Sequence, residues 1–322
     1  MGGGADRAGD LPSVLMESDG PLTSGEGTME RKFGRRAARV AAIRAAALCA
    51  ALFMTGVAFA EIKAPLKIGA RSTSVGAKAL VERYQPLTDY LSAKIGRPVE
   101  FHPFSSEPEI LGKLGSGDID ALIRGSSGGA RAIRDLGAVP VARPGKGGVS
   151  GYRGCIIVRK DSGVKKLEDL KGKRFDYVEK GASAGHIYPR ALLVGKKLDP
   201  DAFFGAVAFA GKHEIAIMKV LNGESDGASV KDQDLEKLSR SDPRVAGDIL
   251  VLQKSGLYPD GTLLFRKGTA AATVEAVEKA LLGIEKDPEG KAALAAVGAD
   301  RYIPTGKKDF AELISAMSLL KE

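Results

Sequence analysis

SGYRGCIIVRKDSGVKKLEDLKGKRFDYV (150–178) is the stretch on which the fold turns. It overlaps a glycine-rich boundary, GKGGVSG (145–151), and continues with YRGCIIVRK (152–160), an apolar run of strand length. It closes with KRFDYV (173–178), a second strand. Downstream, helix and strand alternate. A helix covers roughly 184–197, GAVAFA (205–210) is strand, and HEIAIMKVLNG (213–223) is a helix ending on Gly223. DGASV (226–230) is strand again, and DILVLQ (248–253) leads back toward an earlier unit.

That earlier unit has the same rhythm. LKIGA (66–70), VEFHPF (99–104) and IDALI (119–123) read as strands. PLTDYLSAKIG (86–96) is the best part of a helix, with Pro86 suited to its first turn. Ser106 and Glu109 have capping-box spacing before ILGKL. A helix over roughly 127–136 precedes VPVAR (139–143), and the tail carries amphipathic helices within 271–285, 288–297 and 308–320. The pattern predicts an α/β protein whose sheets are mainly parallel and flanked by helices. No internal repeat at solenoid spacing is present.

The N-terminal region addresses the protein to an extracytoplasmic compartment. RKFGRRAARVAAIR (31–44) has six basic residues and no acidic one, and runs into the apolar AAALCAALFMTGVAFA (45–60). Ala58-Phe59-Ala60 is a small-x-small cleavage site before Glu61. Residues 29–60 thus read as a signal peptide, since the apolar run is shorter than the roughly 20 residues a span needs. Residues 1–28, rich in Gly, Ser, Asp and Pro, read as disordered sequence upstream of the true start at Met29.

Residues 1–60 hold seven of the 48 Lys/Arg and six of the 40 Asp/Glu, which leaves the remainder at +7. This excess forms no block and has no aromatic interleaving, which excludes nucleic acid as a partner and favours a small anionic ligand. Cys155 is the one cysteine after residue 60, so no intrachain disulfide forms and stability rests on packing. No Gly-x-Ser-x-Gly elbow, Cys-x-x-Cys pair, His-Glu-x-x-His helix or phosphate loop is present, and the three histidines include no local ligand pair. The chain reads as a binder without cofactor or metal, not an enzyme.

RYQPLTDYLSAKIGRPVEF, LGSGDIDALIRG, the 150–178 stretch, FAGKHEIAIMKVLNGESDGASV and LQKSGLYPDGTLLFRK together resemble the phosphonate/phosphite-binding periplasmic proteins of PhnD type, over roughly residues 66–300. The resemblance implies a two-lobed type II periplasmic binding protein with two crossings between lobes. Lobe one would combine 62–149 with 256–322, and lobe two would be 150–255. It implies a periplasmic monomer that clamps an oxyanion in the inter-lobe cleft and delivers it to an ABC permease in the inner membrane.

The same resemblance nominates site residues. Tyr152 matches a pocket tyrosine at the first crossing, and His213 matches an anion-binding histidine whose imidazole, partly protonated, donates to the ligand. EKGASAGHIYP (179–189) matches a hydroxyl-rich turn, and it retains Ser183 and Gly185 of the Ser-Thr-Ser-Gly pattern. Ala182, Ala184 and Glu107 stand where the family has donors, which predicts weaker binding of alkylphosphonates than of the true ligand. Asp226 and Asp232 lie where relatives place acidic groups that select amines. Arg71 and Arg124 follow from the residues themselves. They stand just past the first and third strands, where open α/β sheets bind ligands, and guanidinium forks suit oxyanions.

Cys155 keeps a second reading open. Some sensory relatives resemble arsenite-binding proteins that use a single cysteine, so a sensor presenting its ligand state to a membrane histidine kinase is the alternative. Strand alternation places Cys155 on the opposite face from Tyr152.

Overall fold

The computed structural model describes residues 63–72 and 76–321. The expected signal peptide and the segment before it lie outside the described residues. The first strands and helices are β1 (Leu66–Arg71), α1 (Gly76–Ile95), β2 (Val99–Phe104), α2 (Glu107–Ser116), β3 (Ala121–Arg124), α3 (Ser126–Leu136) and β4 (Val139–Gly145). The chain crosses on β5 (Gly151–Tyr152). It then forms β6 (Gly154–Arg159), β7 (Arg174–Tyr177), a π-turn at Ser183–Ile187, α4 (Tyr188–Gly195), β8 (Ala206–Phe209), α5 (His213–Leu221) and β9 (Gly227–Lys231). There follow α6 (Asp232–Ser241), α7 (Pro243–Asp248) and β10 (Ile249–Lys254). The return runs through β11 (Tyr258–Pro259) into β12 (Thr262–Phe265), α8 (Ala271–Leu282), α9 (Pro288–Val297), β13 (Arg301–Pro304) and α10 (Ala311–Leu320).

These strands form a six-stranded sheet ordered β13-β4-β12-β3-β1-β2 and a five-stranded sheet ordered β10-β6-β9-β7-β8. The small antiparallel pair β5–β11 lies at the two crossings, with Tyr152 opposite Tyr258. The sheets are mixed, not mainly parallel. β1 runs parallel to β2 and β3, and β7 parallel to β8 and β9. The strands next to a crossing reverse: β12 against β3 and β4, and β6 against β9 and β10. A chain that enters a sheet from the hinge side must run opposite to strands whose carboxyl ends point at that hinge.

Burial explains the elements. Leu66, Ile68 and Ala70 of β1 pack with Leu80, Leu87, Tyr90 and Leu91 of α1 and with Leu281 and Leu294 of α8 and α9. This stripe overrides Pro86, which sits in the middle of α1 and not in its first turn. Interior proline costs about 3 kcal/mol, whereas each fully buried large apolar side chain contributes about 1.5–3 kcal/mol. Four such residues hold the helix through the proline. At α2, Ser106 accepts from the Glu109 amide at 3.3 Å, as capping-box spacing predicts, while the Glu109 carboxylate turns to Ser105.

In the second sheet, Ile156, Val158 and Phe175 face α4 and the π-turn, while Cys155, Ile157, Ala228 and Val230 face α5 and α7. The C-terminal helix α10 packs on α3 and also on α4 and the π-turn. Its Glu312 accepts from the Gly256 amide at 3.0 Å and the Tyr258 hydroxyl at 3.3 Å. The tail therefore packs against elements next to both sheets.

Candidate functional site

Five strands that run parallel to a neighbour end on polar or aromatic side chains, four of which line one cavity while Lys231 lies over Tyr152 at the crossing. Arg71 ends β1, Arg124 ends β3, Tyr177 ends β7, Phe209 ends β8 and Lys231 ends β9. Beyond carboxyl strand ends the backbone stops pairing and leaves room, which is why open α/β sheets bind there. The cleft has a cavity of about 780 Å3, walled on one side by Arg71, Arg124 and Arg131 and on the other by Tyr177, Lys180, His186, Arg190 and Phe209. Its wall carries five cationic side chains against three carboxylates, Glu107, Glu179 and Asp201. The field inside favours an anion.

Glu107 does face this cleft, but paired. Arg124 donates to its carboxylate, and Arg71 Nε stands 3.9 Å from the same oxygen. Their side chains differ in depth: Arg124 is 11% exposed, Glu107 17% and Arg71 37%. Burial lowers the Arg124 pKa, against the pull of Glu107, yet leaves it cationic at neutral pH. Gly128 makes the pair fit, because a Cβ there would lie 2.5 Å from the Arg124 guanidinium and 2.7 Å from Glu107. Arg190 is similarly tied, to Asp201 at 2.6 Å. Arg131, on α3, makes no hydrogen bond or ion pair among the described residues.

A group of hydroxyls lies at the crossing. Ser126 Oγ is 2.8 Å from the Tyr152 hydroxyl and donates to the Pro259 carbonyl at 2.6 Å. Ser183 lies near enough to act on the Tyr152 phenol electrostatically. Both are buried, as is Ser126. Lys231 Nζ lies 4.1 Å over the Tyr152 ring and 3.8 Å from Asp260. Burial opposes its charge, but Asp260 and the phenol oxygen hold its pKa above the usual lysine value. Sequence reasoning missed Lys231, together with Arg131, Lys180, Arg190 and Phe209. Only its position at the end of DGASVK could have flagged it.

Several expectations change. His213 is not a partly protonated donor: burial, reinforced by Lys231, lowers its pKa to about 4. Its Nδ1 accepts from the Lys231 amide at 3.2 Å, so the proton of the neutral ring sits on Nε2. The histidine that lines the cavity is His186, also lowered to about 4 by burial and by Arg190 and Lys180. Gly185 is a packing glycine, since a Cβ would stand 2.6 Å from Val178 Cβ. Asp226 precedes β9, at the end of the sheet away from the cleft, where it pairs with Arg174 at 2.9 Å. Asp232 accepts from the Arg153 and Gln233 amides at 2.9 Å and ties the crossing to α6. Cys155 is fully buried under α5, and burial pushes its thiol up to about 11. It reaches no cleft, which removes the basis for thiol–arsenite chemistry.

No helix among the described residues is long and apolar enough to cross a membrane. Comparison with known proteins places this architecture. The family model described as "ABC transporter, phosphonate, periplasmic substrate-binding protein" matches residues 72–310. The "Phosphonates-binding periplasmic protein" of Escherichia coli (strain K12) is 30% identical over 155 residues, 47% of this chain and 46% of that protein. The "Phosphate-import protein PhnD" of Mycolicibacterium smegmatis is 28% identical over 169 residues, 48% of this chain and 51% of that protein. The chain thus matches about half the length of these curated relatives. Among solved structures, PhnD1 from Prochlorococcus marinus in complex with methylphosphonate superposes with a TM-score of 0.59 at 17% identity, covering 80% of this chain and 98% of that one. That identity speaks to the two-lobed fold alone. The match over residues 72–310 makes this chain a member of the family of periplasmic substrate-binding proteins of phosphonate ABC transporters, a family of binders and not of enzymes.

Proposed function

We propose that this protein captures a phosphate- or phosphonate-like oxyanion between its lobes in the periplasm and delivers it, as a monomer, to an ABC permease. The observation that carries this reading is the convergence of Arg71, Arg124 and Arg131 on one cavity facing the Gly181–His186 turn. Guanidinium forks match tetrahedral oxyanions in two-pronged fashion and stay charged when desolvated. Lobe closure would remove water and strengthen those contacts. The relatives point to the same chemistry: one is named for phosphonates and one for phosphate import.

Isothermal calorimetry with phosphate, phosphite, methylphosphonate, a sulfonate and a short carboxylate tests this reading. Phosphorus oxyanions are expected to bind best. Arg124→Ala is expected to weaken them by about 2–5 kcal/mol, the usual loss for one partner of a desolvated charge pair. No binding of any phosphorus oxyanion at millimolar concentration would end the proposal.

A further inference from the structure

The aromatic side of the cleft is unused by oxyanion capture. Phe209, on edge strand β8, is 46% exposed, and Val207 beside it is 54% exposed, although both line a strongly cationic cavity. The Phe209 ring centroid lies 5.8 Å from that of His186 and 5.7 Å from that of Tyr177. Tyr177 and His186 are buried, 2% and 7% exposed, and back the Phe209 ring from within lobe two, so Phe209 is the ring that this side offers to the cavity. Opposite, on lobe one, stand Arg124 and the unpartnered Arg131. The cavity of about 780 Å3 lies in the size range of pockets for drug-sized ligands. At about 30 Å3 per water it has room for some two dozen waters, whereas methylphosphonate has only five heavy atoms.

We propose that the cleft is built for a phosphonate or phosphate monoester bearing an aromatic or heteroaromatic ring, the anion held by Arg124 and Arg131 and the ring laid on Phe209 and Val207. This rests on the oxyanion reading above and specifies its ligand. Exposed apolar side chains among charges gain by being covered. A planar ring gains area and offset stacking there, while a small tetrahedral anion covers none of them. Burial also keeps His186 neutral at pH 7, so it backs Phe209 without adding a further charge.

Phenylphosphonate and methylphosphonate, titrated calorimetrically into the protein, separate the two claims. Phenylphosphonate is expected to bind at least about tenfold tighter, and Phe209→Ala to bring the affinity ratio of the two ligands toward one. Phe209→Tyr, which keeps the ring, is expected to preserve the ratio. Equal affinities for the two phosphonates, or a ratio unchanged in Phe209→Ala, would overturn this inference and leave oxyanion capture standing. If neither phosphonate binds and phosphate also fails, oxyanion capture falls and this inference falls with it.

Discussion

Glu107→Gln removes one negative charge from the cleft while keeping a carbonyl oxygen in the place that faces Arg124. Glu107 now neutralises Arg124 directly and Arg71 in part. A ligand held on the far side of Arg124 would lie about 7 Å from that carboxylate, where two unit charges at an effective dielectric of about 20 repel by about 2 kcal/mol. Water in the open cleft and the partial exposure of Arg71 reduce this, and about 1.4 kcal/mol, or tenfold, is the gain expected per ligand charge. The fold should pay in the other direction. A charge-assisted bond becomes a neutral-acceptor bond in a nearly buried place, so stability is expected to drop by about 1–2 kcal/mol. Calorimetric titration with phosphate and methylphosphonate reads the first effect, and urea unfolding reads the second. Unchanged or weaker anion binding in a Glu107→Gln protein that still unfolds cooperatively would refute the argument. It would mean that Glu107 serves the site by holding Arg124 in place, and not merely by cancelling its charge.

Stability should also fall on the acid side. His186 and His213 have folded-state pKa values near 4, below the usual 6.5 of an exposed imidazole. Above pH 6.5 neither state holds these protons. As the pH drops from 6.5 toward 4 only the unfolded chain takes them up, so stability is lost across that window. A melting temperature that falls by several degrees from pH 7 to 4.5, and falls less in a His186→Asn/His213→Asn variant, is the expected result. Cys155→Ala should leave oxyanion affinity unchanged, and arsenite should not shift the melting temperature of the parent protein. A shift that disappears in Cys155→Ala would return the thiol to the mechanism. Gly185→Ala is expected to destabilise by about 1–3 kcal/mol through overpacking against Val178, measured by urea unfolding.

Much of the fold was legible because strands and helices here carry their own signals. YRGCIIVRK and KRFDYV became β6 and β7 within a residue or two, and Ser106 caps α2 as its spacing implied. What was lost depended on partners remote in sequence. Pro86 reads as a helix start until the buried stripe on both sides of it is known. The direction of β12 is set by the hinge, and nothing in TLLF records it. Arg71 and Arg124 were found because their position follows from strand ends. Asp226 was misplaced because DGASVKD has an acidic residue at each end, and only the strand direction tells which end faces the ligand. Arg131 sits in the second turn of α3, and Phe209 ends a short strand with every residue exposed. Neither looks different from a surface residue until the opposite lobe is in view.

The C-terminal helix gives the molecule a lever. Because α10 packs against elements next to both sheets beside the β5–β11 crossing, rotation between them has its axis there, and displacement grows with distance from it. Along the second sheet the strands step outward from β6, next to the crossing, through β9 and β7 to β8. Three spacings of about 4.8 Å put β8 some 14 Å from β6, so each 10° of rotation about an axis along β6 swings it through about 2.5 Å. The outermost strand travels farthest while Tyr152 and Ser183 barely move. A spin label or fluorophore on exposed Ala206 or Ala208, paired with one on lobe one, therefore reads the stroke of the hinge at its greatest amplitude.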